Sequence, residues 1–406
     1  MNLVFLALVG VAFAVAALAE LTGGRGAMEA LSAAMVEAAA AAVPLALGLV
    51  GIMALFLGLM KVAEEGGLLT ATARLLEPLL RRLFPEIPAG HPAMGAMVMN
   101  VAANLLGLGN AATPFGIRAM EHLERLNPIK GSASNAQVLF LAINTAGVTL
   151  LPTKVIALRA SAGSTDPAAV VGPTLVVTLV ATVVAIIAAK TLQGLWSPPP
   201  PVVKALPCTQ PLWPSLLALA GLLGLVPLLL MKGREIGPWI LPGLVVGLLL
   251  FGALRRVRIY ESFVEGAKEG FAVAVRIIPY LVAILVAIGM FRASGAMALA
   301  LEPLGRLTAP LGLPAEALMM AGMRTLSGSG SYGLLAADLR NPAIGPDSYL
   351  GVLLSTLYGS TETTFYVLAV YFGAVQVRRI RHALAVGLIA DFAALVAAVV
   401  VCRLMF

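Results

Sequence analysis

The chain has 406 residues, 60% of them hydrophobic and 12% charged, with a mean hydropathy of +0.97. A water-soluble domain carries roughly 25% charged residues, so the composition excludes a solvated globule and points to an all-α, polytopic integral membrane protein. The formal charge of +7 does not signal nucleic acid, because basic residues gather beside apolar runs at 255–258 and 378–382, where the positive-inside rule puts cytoplasmic anchors. Cys208 and Cys402 have neither metal nor redox spacing.

Residues 2–20 read as a retained first span, since no Lys or Arg precedes the apolar run as it would in a signal peptide. Further spans are expected near 40–60, 135–160, 168–193, 212–231, 237–254, 272–292, 347–375 and 382–403. Residues 68–84 set leucines at helical spacing against Arg74, Glu77, Arg81 and Arg82, the pattern of an interfacial amphipathic helix. Residues 94–122 and 318–338 mix small residues with amides and hydroxyls at membrane-compatible length. That mixture suits re-entrant or broken helices whose backbone faces protein or a water-filled cavity. The prolines at 198–201 read as a stiff linker, which divides the chain into units 1–195 and 212–406 joined by 196–211.

The two units look alike. Leu76-Glu77-Pro78-Leu79 with Arg81 and Pro85 recurs as Leu301-Glu302-Pro303-Leu304 with Arg306 and Pro310, at a constant spacing of 225 residues. Asn127-Pro128 echoes Asn341-Pro342 at a spacing of 214. Doubled membrane domains with interrupted helices in matching places are the sequence signature of transporters whose site lies at the repeat interface. Inverted and parallel arrangements both remain open, because the charges at Lys232 and Arg234 compete with the cluster at Arg255.

Polar residues in these apolar surroundings mark the candidate site. Asn100, Asn104 and Asn110 stand among Gly107 and Gly109, and Asn144 follows in the next span. In the second unit Ser327, Ser329 and Ser331 alternate with glycine. Buried amides need partners; either they glue helices together or, with helix-breaking glycines, they bind a solute. Glu362, between Thr361 and Thr363, precedes an apolar run, and an ionisable residue at membrane depth is a functional candidate by default. Its expected role is to couple a proton or cation, or to pair with a cation, with Lys154 of the first unit as one candidate partner and Arg324 as the other cation that could sit beside it. No HExxH or GxSxG occurs and the acids form no close pair, so no enzyme, catalytic residue, metal or cofactor is expected.

The stretch 100–123 resembles spore maturation protein A, and 324–384, with RTLSGSGSYG and STLYGSTETTFYVLAVYFGAVQVRRIRHAL, resembles spore maturation protein B. The chain thus looks like a fusion of the two, in the nucleoside recognition (Gate) group, which the resemblance links to concentrative nucleoside transporters and to the membrane part of ferrous-iron transporters. It implies a multi-pass protein of the bacterial inner membrane, a tandem of Gate-type repeats, tied to spore maturation and dehydration of the spore core. The G-protein motif of the iron transporters is absent. The expected function is a transporter or gated permease for a small polar solute or ion, nucleoside-like or an organic anion among the options. Membrane lipids are its other partner, nucleic acid is not, and a homo-oligomer stays open. The alternative is a membrane scaffold or assembly factor whose ion pairs are structural.

Overall fold

The structure, a computed structural model, describes residues 2–23, 26–88, 90–107, 109–196 and 211–405. Most of the expected linker, with Cys208, lies outside the described residues, as does the side chain of Asn110. The chain is helical, and among the described residues the only bridge of strand type joins Ser132 to Arg379.

Three helices are long. They are α2 (Ala27–Glu65), α9 (Trp213–Leu254) and α10 (Ile259–Ala293), of 39, 42 and 35 residues. At about 1.5 Å per residue each exceeds the ~30 Å hydrocarbon core. The separate spans expected at 212–231 and 237–254 are therefore one helix; hydropathy marked the charges at 232–235 as a gap, but nothing there interrupts the backbone. α2 runs along α10, and α1 (Asn2–Leu21) packs beside them. Small residues let the long pair approach closely: a Cβ on Gly266 would stand 2.4 Å from the Leu57 carbonyl.

The remaining helices fall into two sets in the same order. The first comprises α3 (Leu68–Leu83), α4 (Pro92–Leu105), α5 (Gly109–Leu126), α6 (Asn135–Thr145), α7 (Thr153–Ser161) and α8 (Val171–Trp196). The second comprises α11 (Ala296–Thr308), α12 (Ala315–Leu326), α13 (Gly328–Arg340), α14 (Tyr349–Ser360), α15 (Thr364–Ala374) and α16 (Ala383–Met405). The motif spaced by 225 residues falls on α3 and α11, each with its proline inside the helix. α3 buries Leu69, Ala73 and Leu80, and on its open face Arg81 pairs with Glu77 at 2.7 Å.

Ala27–Pro44, Pro167–Gly194 and Ala383–Met405 are long and apolar enough to cross a membrane. α8 and α16 pack through alanines, with Ala181, Ala185, Ala390, Ala394 and Ala398 buried, while Val183, Ile187, Phe392 and Val396 face outward. Such a face suits lipid, since small residues form the seam and large apolar ones the outside.

The segments expected at 135–160 and 347–375 as single spans are both broken. α6 stops at Thr145 and α7 starts only after Pro152; α14 stops at Ser360 and α15 starts at Thr364. Sequence hydropathy is blind here because the first gap, 146–152, is itself mostly apolar. The backbone carbonyls freed by a break must find other donors. They do: Glu362 N donates to Thr145 O at 2.7 Å, the Thr182 hydroxyl to Ala146 O, and the Arg324 guanidinium to Thr361 O.

The first of these bonds joins the two breaks directly. At one outer end, the start of α6 meets the chain leaving α15, with Arg381 donating to Ala133 O at 3.0 Å and to Asn135 Oδ1 at 2.9 Å. At the other, the start of α14 meets the end of α7, where Arg159 donates to Pro346 O at 2.6 Å and to Asp347 at 3.1 Å. The two broken helices thus run in opposite directions and cross at their breaks.

Candidate functional site

The two helix pairs of amide- and hydroxyl-rich sequence bring their tips to the same crossing. α4 and α5 pack together and turn over at Gly107, whose φ of +77° favours glycine; a Cβ there would stand 2.6 Å from Leu151 O in the first break. Leu150 N donates to Leu105 O at 3.0 Å, fixing tip against break. α12 and α13 are separated only by Ser327, whose hydroxyl caps α13 by accepting from Gly330 N at 2.9 Å. Helix N-termini of α5, α7, α13 and α15 therefore gather around one centre, each carrying partial positive charge.

On the first-unit side the centre is neutral. Asn100 is fully buried on α4 and donates to Ala112 O at 2.8 Å and to the Tyr371 hydroxyl at 3.2 Å. Tyr371 in turn donates to Asn144 Oδ1 at 3.1 Å, which also accepts from Asn104 at 3.0 Å. The amides of Asn100, Asn104 and Asn144 are thus joined through a phenol of the other unit. A Cβ on Gly116 would stand 2.4 Å from that phenol oxygen, so the glycine makes its room. Asn100 Oδ1 is buried with no partner among the described residues.

On the second-unit side the centre is charged. The Arg324 side chain is only 9% exposed, with its guanidinium 4.5 Å over the Tyr358 ring and 3.6 Å from Glu362, whose side chain is 56% exposed. Of the two cations expected near Glu362, Arg324 and not Lys154 stands beside it. Lys154 is an exposed residue in the first turn of α7, whereas Arg324, in the last turn of α12, stands beside the break that carries Glu362. Thr361 is buried in the break and gives its carbonyl to Arg324.

The three serines part company. Ser327 is buried and caps α13; Ser329 is exposed, with its hydroxyl 3.5 Å from that of Ser327; Ser331 spends its hydroxyl on Ser327 O and Gly328 O within its own helix. Ser331 is accordingly placed to shape the helix start rather than to meet a solute.

Sequence reasoning missed Asp391. This acid lies on apolar α16, and its Oδ2 accepts from the hydroxyls of Thr364 at 2.7 Å and Thr325 at 3.0 Å. It lines a cavity of about 230 Å³ together with Arg324, Thr325, Ser360 and Thr361. The signal was available: a lone acid in a span is the same kind of flag as Glu362. Tyr371 was missed as well, since a tyrosine within an apolar run gives no polar signal until its hydroxyl is placed.

Outside the apolar core, the Arg159 clasp holds a carboxylate. Burial pushes the Asp347 carboxyl up, but bonds from the Ser164 hydroxyl and from Thr165 N and Oγ1, with the charge of Arg159, outweigh it and leave it below the usual carboxylate range.

Apolar helices around a buried polar centre define a helical protein of membrane type. The nucleoside recognition (Gate) family matches residues 46–162 and again 274–378, together more than half the chain. The chain belongs to that family. It is 44% identical over 162 residues to spore maturation protein A of Bacillus subtilis (strain 168), covering 40% of this chain and 83% of the relative. It is 46% identical over 166 residues to spore maturation protein B of the same organism, covering 41% of this chain and 92% of the relative. No solved structure matches.

Proposed function

We propose that the chain is a multi-pass transporter or gated permease of the bacterial inner membrane for a small polar solute or ion. In this reading residues 1–195 and 212–406 are inverted repeats, and α4–α5 and α12–α13 are re-entrant hairpins. The observation that carries it is the meeting of two hairpin tips with two helix breaks at one polar centre. Non-helical backbone at membrane depth is tolerated where it is buried in protein or lines a cavity, and discontinuous helices at a repeat interface are where carriers bind their cargo. Asn104, Asn110 and Ser329 would meet the solute, with Asn100 and Asn144 holding Asn104 in place and Ser327 shaping the second tip. Glu362 and Arg324 would give the site a charged pair that a solute or coupling ion can divide. A nucleoside suits neutral amides and an organic anion suits Arg324; both follow from residues at the centre. In a host that forms spores, such a carrier would serve spore maturation, as the names of the two relatives say of them.

The test is flux into liposomes holding purified protein, with nucleosides, organic anions and monovalent cations offered under imposed proton, sodium and voltage gradients. Uptake of one class that Glu362→Gln abolishes supports the reading. No uptake under any gradient, with the protein folded, would leave a scaffold held by the Arg159 and Arg324 contacts as the better account.

A further inference from the structure

We infer that Asp391 is a proton-binding site of this chain, distinct from Glu362, with the proton on Oδ1 and the carbonyl character on Oδ2. The inference rests on the reading above only for its purpose as a coupling site; the binding itself stands on geometry.

The two oxygens of Asp391 are treated differently by the fold. Oδ2 accepts from the hydroxyls of Thr325 on α12 and Thr364 on α15, at 3.0 and 2.7 Å. Oδ1 is buried and meets no donor among the described residues. An ionised carboxylate spreads its charge over both oxygens, so a buried Oδ1 without a hydrogen bond would carry half a charge opposed only by the nearby Arg324 and Thr361 side chains, at a desolvation cost. The neutral acid removes that cost: its C=O oxygen wants acceptor bonds, which the threonines supply, and its O–H oxygen carries its own proton. Asp391 also lines the cavity that it shares with Arg324 and Thr361.

Charge counting points the same way. One cation, Arg324, stands among two acids, and it is held by Glu362 at 3.6 Å and by the Thr361 carbonyl. A second full negative charge beside Arg324 would be unbalanced. The other elements packed against α16 do not balance it. Lys190 of α8 donates to Leu83 O at 2.9 Å, Glu316 sits at the far end of α12, and α6, α14 and α15 carry no Lys, Arg, Asp or Glu. The phenols of Tyr349 and Tyr371 are bonded to Gly312 O and Asn144, and the side chains at 232, 234 and 235 of α9 lie outside the described residues.

The site is tested by infrared difference spectroscopy of the full chain in detergent, between alkaline and acid pH. The expected result is a protonated-carboxyl C=O band that is lost in Asp391→Asn and moved in frequency by Thr325→Val and Thr364→Val, which remove the donors to Oδ2; in Glu362→Gln the freed Arg324 shifts the loss of that band to lower pH. If Asp391→Asn does not fold, Asp391→Glu and the two valine variants carry the test through the same frequency shift. A band that survives Asp391→Asn, a band whose frequency ignores both valine substitutions, or one that responds to sodium and not to pH would each overturn the inference. The measurement needs no flux. A band without liposome uptake would leave the proton site standing and sink the carrier reading, and uptake without the band would do the reverse.

Discussion

The two faces of the crossing share an architecture and differ in chemistry. Each pairs a hairpin tip with a break in the helix that follows, yet the first is laced by amides and a phenol, whereas the second holds Arg324, Glu362 and Asp391. One scaffold can thus serve a neutral, directional hydrogen-bonding face and a charged face that changes state with protonation. Substitution should tell them apart, because neutral networks lose stability bond by bond while a charged cluster answers according to which member keeps a partner.

Arg324→Met should cost the most. It removes the donor to the Thr361 carbonyl, the cation beside Glu362 and the group over the Tyr358 ring, and the side chain is nearly enclosed. Losing one member of a buried pair costs about 3–5 kcal/mol; with Glu362 more than half exposed, the lower end, about 3 kcal/mol, is expected from thermal unfolding in detergent. On the neutral face, Tyr371→Phe deletes one hydroxyl that bridges Asn100 and Asn144 and should cost about 1–2 kcal/mol, in the lower part of the penalty for leaving buried partners unsatisfied. A loss for Tyr371→Phe as large as that for Arg324→Met would erase the distinction between the faces.

The crossing was partly legible in the sequence. Asn100, Asn104 and the Ser-Gly run announced interrupted helices through polar residues in apolar segments, and Glu362 was flagged as an ionisable group at membrane depth although 347–375 read as one span. The first break escaped because Leu150 and Leu151 keep hydropathy high through the gap, leaving only Gly147 and Pro152 as signs. Partners were harder than places. Lys154 and Glu362 occupy only roughly equivalent repeat positions because register near the breaks drifts by several residues, and which cation, Lys154 or Arg324, faces Glu362 depends on helix rotation. The direction of the broken helices could not be read from loop charges, since the arginines at 378–381 do not simply mark a membrane side: the backbone at Arg378 and Arg379 and the Arg381 side chain clasp residues 131–135.

Smaller effects sharpen the same contrast. The Arg159 clasp should hold steady from neutral pH down to the ordinary carboxylate range, about pH 4. Because Asp347 titrates below its unfolded value, its contribution is present above that range and is lost as pH falls through the lower, folded value. Unfolding midpoints followed from pH 7 to 3 should therefore lose a step in Asp347→Asn. Glu362→Gln should cost less than about 1 kcal/mol, as an exposed partner does, while altering flux if the centre transports. Lys154→Met should stay within about 0.5 kcal/mol, as surface changes do, and a larger loss would restore the pairing with Glu362.

The account stands on the crossing being an accessible site within the membrane. Its most direct test places a cysteine at Glu362 in a chain whose Cys208 and Cys402 are serine, and offers membrane-impermeant thiol reagents to right-side-out and inside-out vesicles. The account predicts labelling at Glu362→Cys that slows when the transported solute is present. Labelling from neither side, with labelling only after detergent is added, would contradict it.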